Sequence, residues 1–281
     1  MFLNLADRDG FMCLISIVIP NYNYGRFADR FFSSLAAQTF SLADVQILFV
    51  DDGSTDDSME QAVKWSGRLE CASFEILTPA RSGRPGPVRN YGLERARGEY
   101  LCCLDPDDTF HPEFLESCLD VLRRNSGGHI VYTDYLEKSS ENSREVFLPE
   151  FKPVYLRTQN VIPSATVFHR KVWDSGARYP ANTAYEDWDF WIQCVLGGFR
   201  FRHISGVRYT YERHEAGFTG LAEQEDGRAK AQIVLNNPEF FHPTVVCWAH
   251  DFFRGRPYAP AFSRGRIPSP EDVVKVLKLF E

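Results

Sequence analysis

The stretch Glu99-Tyr-Leu-Cys-Cys-Leu-Asp-Pro-Asp-Asp108 decides the fold class. Its first six residues form a short apolar run bounded by turn residues, the pattern of a buried strand. That strand runs straight into Asp105, Asp107 and Asp108, with Pro106 stiffening the turn that presents them. Carboxylates this close repel one another unless a cation or hydrogen-bond donors neutralise them. At a strand end the cluster suits Mg²⁺ or Mn²⁺, which take oxygen ligands and leave positions for phosphate oxygens. The competing reading is a solvated acidic turn, and the position on the sheet favours the metal.

Working outward, the same strand-then-turn pattern recurs. Leu14–Ile19 is an apolar β run ending at Pro20, and Val45–Val50 is another, stopped by Asp51-Asp52-Gly53-Ser54. Phe74–Leu77 and His129–Asp134 read as further strands. Helical spacing covers Phe27–Gln38 and Thr55–Trp65, with Ser54 as the expected N-cap of the second. A Gly/Pro loop from Ser82 to Pro87 leads into a short helix ending near Arg95, and Pro112 suits the first turn of another. This β-α repetition implies an α/β fold with a mostly parallel, three-layer sheet. Ligands on such sheets bind at the carboxyl ends of the strands, where the acidic clusters fall.

The second half is less regular. Residues 136–152 are polar and read as an exposed loop, Ser164–His169 as a strand, and Phe199–Glu212 as two short strands around Ser205-Gly206. Glu186–Leu196 has one apolar helical face and ends at Gly197-Gly198. Residues 255–270 read as a linker or wrapping arm. Pro270–Phe280 reads as a short amphipathic helix.

Composition narrows the function. The 281 residues are 44% hydrophobic and 25% charged, ordinary for a globular chain and wrong for a disordered or coiled-coil one. A net charge of −7 argues against sequence-independent nucleic-acid binding, and no nucleic-acid partner is expected. Seven scattered cysteines without a C-x-x-C pair argue against a disulfide framework or a zinc site and suit a cytoplasmic protein. The apolar run Phe11–Pro20 is too short to span a bilayer.

Two other carboxylate pairs are candidates. Asp51-Asp52 is good turn chemistry or part of a site. Glu186-Asp187 opens a helix, where carboxylates complement the dipole, and could instead supply a general base. Arg81, Arg84 and Arg89 flank the Gly/Pro loop and could grip phosphate bidentately or simply face solvent. No G-x-G-x-x-G follows the first strand and no G-x-x-x-x-G-K-[ST] occurs, which weakens dinucleotide and P-loop readings.

Taken in order, Ile15-Ser-Ile-Val-Ile-Pro-Asn-Tyr-Asn23, Val50-Asp-Asp-Gly-Ser-Thr-Asp56, Arg89-Asn90 with Gly92, Gly98-Glu-Tyr100 and Leu104-Asp-Pro-Asp-Asp108 resemble glycosyltransferase family 2. Tyr185-Glu-Asp-Trp-Asp-Phe-Trp191 resembles its Glu-Asp motif, and Tyr211-Glu-Arg-His214 its late histidine element. The resemblance spans about residues 14–220. It implies a GT-A fold, a catalytic domain over 12–220 and a C-terminal helical or irregular extension over 221–281 that could face an acceptor or partner.

The resemblance also implies roles. Pro20, Asn21, Tyr22, Asp51 or Asp52, and Arg89 would form the nucleotide pocket. Asp105 and Asp107 are the Asp-x-Asp motif, Asp107 being the expected ligand of Mn²⁺ or Mg²⁺, with His214 reaching the metal or diphosphate. Asp187 is the expected base, with Glu186 beside it. The implied activity is inverting, metal-assisted, non-processive transfer of a sugar from a nucleotide-diphospho-sugar to an acceptor hydroxyl, in polysaccharide or glycoconjugate assembly. UDP is favoured by family frequency only. The acceptor would be a glycan or lipid-linked, with peripheral attachment at the inner membrane face allowed. The alternatives are a sugar-nucleotidyltransferase, which would want a glycine- and basic-rich signature after the first strand, and a non-catalytic sugar-nucleotide-binding protein.

Overall fold

Strands Ile15–Asn21 (β1) and Val45–Asp51 (β2) are buried at every position. A strand apolar on both sides needs cover on both faces, and that is the environment of a parallel sheet flanked by helices. The computed structural model, which describes residues 13–124, 129–214 and 218–280, has this architecture. β1 pairs in parallel with β2 from Ile15↔Val45 to Asn21↔Asp51, and with Tyr100–Cys103 (β4) from Ile15↔Tyr100. β2 pairs in parallel with Ser73–Leu77 (β3). The in-register pairing brings the ends of β1 and β2 together at one edge of the sheet.

The other half of the sheet reverses direction. The order is β3-β2-β1-β4-β8-β6-β9-β5, where β5 is Thr109–Phe110, β6 Ile130–Lys138, β8 Val167–His169 and β9 Phe201–Glu212. β8 is antiparallel to both β4 and β6, whereas β6 and β9 run parallel. Helices Ala28–Ala36 (α1), Ser58–Ser66 (α2), Pro85–Leu93 (α3), Phe114–Arg124 (α4), Arg170–Asp174 (α5) and Glu186–Leu196 (α6) complete the layers.

Two glycines of the sequence motifs have packing reasons. A Cβ on Gly92 would lie 2.5 Å from Val18 Cγ1, so α3 can press onto β1 only without one. A Cβ on Gly98 would lie 2.5 Å from the Ser16 amide nitrogen, where the chain crosses under β1. The Ser16 hydroxyl accepts from the Gly98 amide at 2.8 Å at that crossing.

Several expectations need correction. The stretch Phe199–Glu212 holds one strand, β9 (Phe201–Glu212), with register shifts opposite Thr133–Tyr135 and Gly206 at φ +96°. The register skips Ser205, Gly206 and Arg208, and such an irregularity mimics a break in the sequence pattern. Residues 136–152 are not simply a loop: β6 runs to Lys138 and turns into Ser143–Val146 (β7), its antiparallel partner. Beyond β7, the Leu148 amide donates to buried Asp134 at 2.7 Å and the Tyr132 hydroxyl donates to the Pro149 carbonyl at 2.6 Å. Ser54 does not cap α2, whose N-cap is Asp57; its hydroxyl donates to Asp51 at 2.5 Å instead.

From Phe218 onward the chain adds Phe218–Gln224 (α7), Asp226–Asn236 (α8), Pro243–Phe253 (α9) and Pro270–Leu277 (α10). Ile233, Val234, Val245, Trp248, Ile267 and Val273 are buried in the same apolar cluster as Val18, Val50, Phe168 and Trp191. Residues 255–270 wrap onto the body, where the Ile267 amide donates to the Thr158 carbonyl at 2.9 Å. All seven cysteines are free thiols. Among the described residues, no helix is long and apolar enough to cross a membrane.

Candidate active site

A cavity of about 460 Å³ opens at the carboxyl ends of β1, β2 and β4, walled by the starts of α3 and α6 and by the end of β9. Pro20, Asn21, Tyr22, Asp52, Arg89, Asp105, Asp107, Glu186, Asp187 and His214 all line it. Residues spread over nearly two hundred positions therefore meet in one space, because each ends or follows a strand, or lies in the first two turns of a helix, at the same edge.

Asp51 is the member that does not reach the cavity. It is buried, and its oxygens accept from Asn21 Nδ2 (2.8 Å), the Ser54 hydroxyl, and the Gly53 and Ser54 amides (3.1 and 2.9 Å). It holds the turn after β2, so of the two expected carboxylates only Asp52 faces the pocket. Asp52 in turn accepts from the Ser82 and Gly83 amides at 2.6 and 2.7 Å, fixing the Gly/Pro loop at the rim. Tyr22 is partly exposed; Arg81 donates to its hydroxyl at 2.6 Å and lies over its ring at 4.4 Å. Arg84 lines the cavity and pairs with Glu225 at 3.1 Å.

Arg89 is buried and holds the floor together. It binds Asp105 Oδ1 at 2.7 Å and Glu186 through a short hydrogen bond. Burial works against its charge, but Asp105 and Glu186 overcome this and keep the guanidinium firmly protonated. Asp105 Oδ2 accepts from the Ser164 hydroxyl at 2.9 Å, so both its oxygens are engaged. Burial raises the Glu186 carboxyl, with Arg89 opposing. Glu186 is committed to that ion pair and is not available to an acceptor.

Asp187, the next residue on α6, is placed differently. Its Oδ2 accepts from Asn160 Nδ2 at 2.9 Å and its Oδ1 from the Trp188 amide at 2.8 Å, and among the described residues no cation lies within ion-pair distance. Burial raises its carboxyl above the ordinary value, against the pull of Arg89. A carboxylate oriented by neutral donors and lining a cavity can accept a proton from a bound hydroxyl.

Asp107 Oδ2 lies 3.0 Å from His214 Nε2. The His214 ring rests 4.8 Å from Phe27 and its Nδ1 is 3.3 Å from Arg26, while Arg30 donates to the Asp107 carbonyl at 2.6 Å. Burial raises the Asp107 carboxyl, against the hydrogen bond from His214. Among the described residues no set of three His, Cys, Asp or Glu is placed to hold an ion alone. One carboxylate and one imidazole, completed by oxygens of a bound diphosphate, could hold a divalent ion here. Asp108 is fully buried behind them; its Oδ1 accepts from the Glu212 amide at 3.1 Å and its Oδ2 has no partner among the described residues.

Sequence reasoning missed Tyr24, Asn160, Ser164 and Phe218, all of which line the cavity. Asn160 and Ser164 sit in a loop where a lone polar residue carries no signal.

The glycosyl transferase family 2 model matches residues 16–185. The chain belongs to this family. Among similar proteins, the poly(ribitol-phosphate) β-N-acetylglucosaminyltransferase TarS of Staphylococcus aureus (strain MW2) is 32% identical over 215 residues, which is 73% of this chain and 36% of TarS. Chondroitin synthase of Pasteurella multocida is 24% identical over 270 residues, 94% of this chain and 27% of that protein. The chain thus spans about a third of the length of these relatives. Crystalline TarS 1–349 from S. aureus in complex with UDP-GlcNAc matches the fold with a TM-score of 0.66 at 21% identity, over 79% of this chain and 66% of that one. The mannosyltransferase PcManGT of Pyrobaculum calidifontis, in complex with GDP-Man and Mn²⁺, gives 0.65 at 13% identity over 96% and 75%. The fold of this family 2 chain is GT-A.

Proposed function

We propose that this chain transfers a sugar from a nucleotide-diphospho-sugar to an acceptor hydroxyl by a single inverting displacement. The observation that carries the reading is the sharing of one cavity by Asp187, which neutral donors orient, and the Asp107–His214 pair. A divalent ion between Asp107, His214 and the diphosphate would neutralise the charge that builds on the leaving group. The chain's own residues do the rest. Tyr22 offers a ring face to the base beside Pro20, Asn21 and Asp52. Arg89 keeps Asp105 and Glu186 in place beneath the sugar. Asp187, oriented by Asn160, takes the proton from the attacking hydroxyl.

The relatives named as a poly(ribitol-phosphate) β-N-acetylglucosaminyltransferase and a chondroitin synthase support a glycan or glycoconjugate acceptor, and the UDP-GlcNAc complex of TarS supports a UDP-sugar donor. A panel of nucleotide sugars screened by thermal shift, with and without Mn²⁺, tests the donor side. A ligand bound only by the native state raises the melting temperature. One nucleotide sugar should stand out and its shift should grow with Mn²⁺. A flat panel would remove the donor-site assignment.

A further inference from the structure

From Phe252 to Arg266 the chain carries Arg254, Arg256, Arg264 and Arg266 and no carboxylate, in a protein whose net charge is −7. All four arginines are exposed, as is Arg228. Among the described residues, no carboxylate pairs with Arg228, Arg256, Arg264 or Arg266, and Arg254 has only Asp251 at 3.7 Å. Asp251 is itself engaged by the Tyr258 hydroxyl at 2.8 Å. Like charges gathered without partners repel, so the cluster is relieved by binding an anion.

These arginines share one region of the surface. Arg228 lies 5.2 Å over the Phe253 ring, and the backbone of Ser263 presses against Gly227, where a Cβ would meet Ser263 Cα at 2.7 Å. The Gly265 amide donates to Asp226 Oδ2 at 3.1 Å, and buried Lys230 donates to the Gly265 carbonyl at 3.0 Å. Asp226 Oδ1 accepts from the Tyr185 hydroxyl at 2.9 Å, and Tyr185 lines the cavity. A single carboxylate therefore joins the cavity wall to the backbone between Arg264 and Arg266.

We propose that Arg228 and residues 252–266 form the landing surface for a polyanionic acceptor, a chain of repeating phosphodiesters whose end enters the cavity past Tyr185. The guanidinium fork matches phosphate oxygens in pairs and keeps its charge at any working pH. A lipid surface would be met by apolar side chains among the arginines, and Phe253 is the single large exposed apolar residue described in this stretch. The acceptor role rests on the glycosyl-transfer reading, whereas the polyanion surface stands on charge alone.

The test compares the wild type with a variant carrying R256A, R264A and R266A. Anisotropy of a fluorescein-labelled synthetic poly(glycerol phosphate) is followed over increasing salt, with labelled dextran as the neutral control. Nucleotide binding by calorimetry and the melting temperature are measured alongside. The wild type should bind the phosphate polymer and not dextran, with affinity falling as salt screens the contact. The variant should bind at least tenfold more weakly, with nucleotide binding and melting temperature unchanged. Equal polymer affinity in the two proteins, no binding by the wild type, or binding only to phosphatidylglycerol vesicles would overturn the proposal. If nucleotide fails to bind the wild type, the donor site falls while the polymer comparison still decides the surface.

Discussion

His214 Nε2 lies 3.0 Å from Asp107 Oδ2, although the two residues are 107 positions apart. Asp107 is delivered by the turn after β4 and His214 by the end of β9, and neither strand pairs with the other. Their meeting is a property of the sheet edge as a whole. It creates a mixed oxygen–nitrogen donor pair that no local stretch of sequence contains.

Asp107→Asn should therefore weaken Mn²⁺-dependent donor binding and leave the fold intact. The amide preserves the acceptor for His214 but lacks the charge that attracts the ion. Donor affinity is measured with and without Mn²⁺ in both proteins. Equal metal dependence would show that Asp107 is not a ligand.

Asp187→Asn should lower kcat by about 10²–10⁴-fold and spare donor affinity, since it removes only the proton-accepting lone pair. Glu186 cannot substitute because Arg89 holds it. Because burial raises the Asp187 carboxyl above 3.8, the base is lost on acidification at a higher pH than for an exposed aspartate. The acid limb of kcat/KM in the wild type should fall accordingly above that value. A wild-type turnover rate in the variant would return Asp187 to a helix-start role.

Arg89→Met should be strongly destabilising, by about 3–5 kcal/mol, because it leaves Asp105 and Glu186 as uncompensated charges in the floor. Urea unfolding measures the loss. A change below about 1 kcal/mol would mean that water enters and solvates the two carboxylates in place of the guanidinium.

Asp108→Asn should raise stability at alkaline pH. Burial holds the Asp108 carboxyl well above its ordinary value, so the native state keeps a proton that the unfolded chain has released. Stability then falls as pH rises through the window from the unfolded value to the raised native one. The asparagine has no such proton, retains an acceptor for the Glu212 amide, and fills the position of the orphaned oxygen with a donor. A gain at pH 8 that shrinks towards pH 4 is expected in metal-free buffer. A pH-independent difference would contradict it.

The parts of the fold legible in the sequence are those whose burial is symmetrical. β1 and β2 are apolar on both faces, and α6 was bounded correctly because Gly197-Gly198 stops it and Tyr185 precedes it. β7 was invisible: its residues Ser143, Arg144 and Glu145 are exposed, and an edge strand needs no apolar run. β5 has two residues, fewer than any periodicity can reveal. In the site, the carboxylates were found because acidic residues at strand ends are conspicuous. The division of labour between Asp51 and Asp52 was not legible, since adjacent residues differ only in the direction their side chains take. The same holds for Glu186 and Asp187, where the position of Arg89 decides which one is free.

The apolar cluster that passes without a break from Val18 and Trp191 to Trp248 and Val273 makes the chain one cooperative unit. Removing residues beyond 220 should lay open part of this shared apolar cluster, and aggregation is the expected outcome. Heating should give one transition, with no earlier melting of the last three helices. Occupying the cavity should slow amide exchange in α9, far along the chain from β1, β2 and β4, whose ends open onto it.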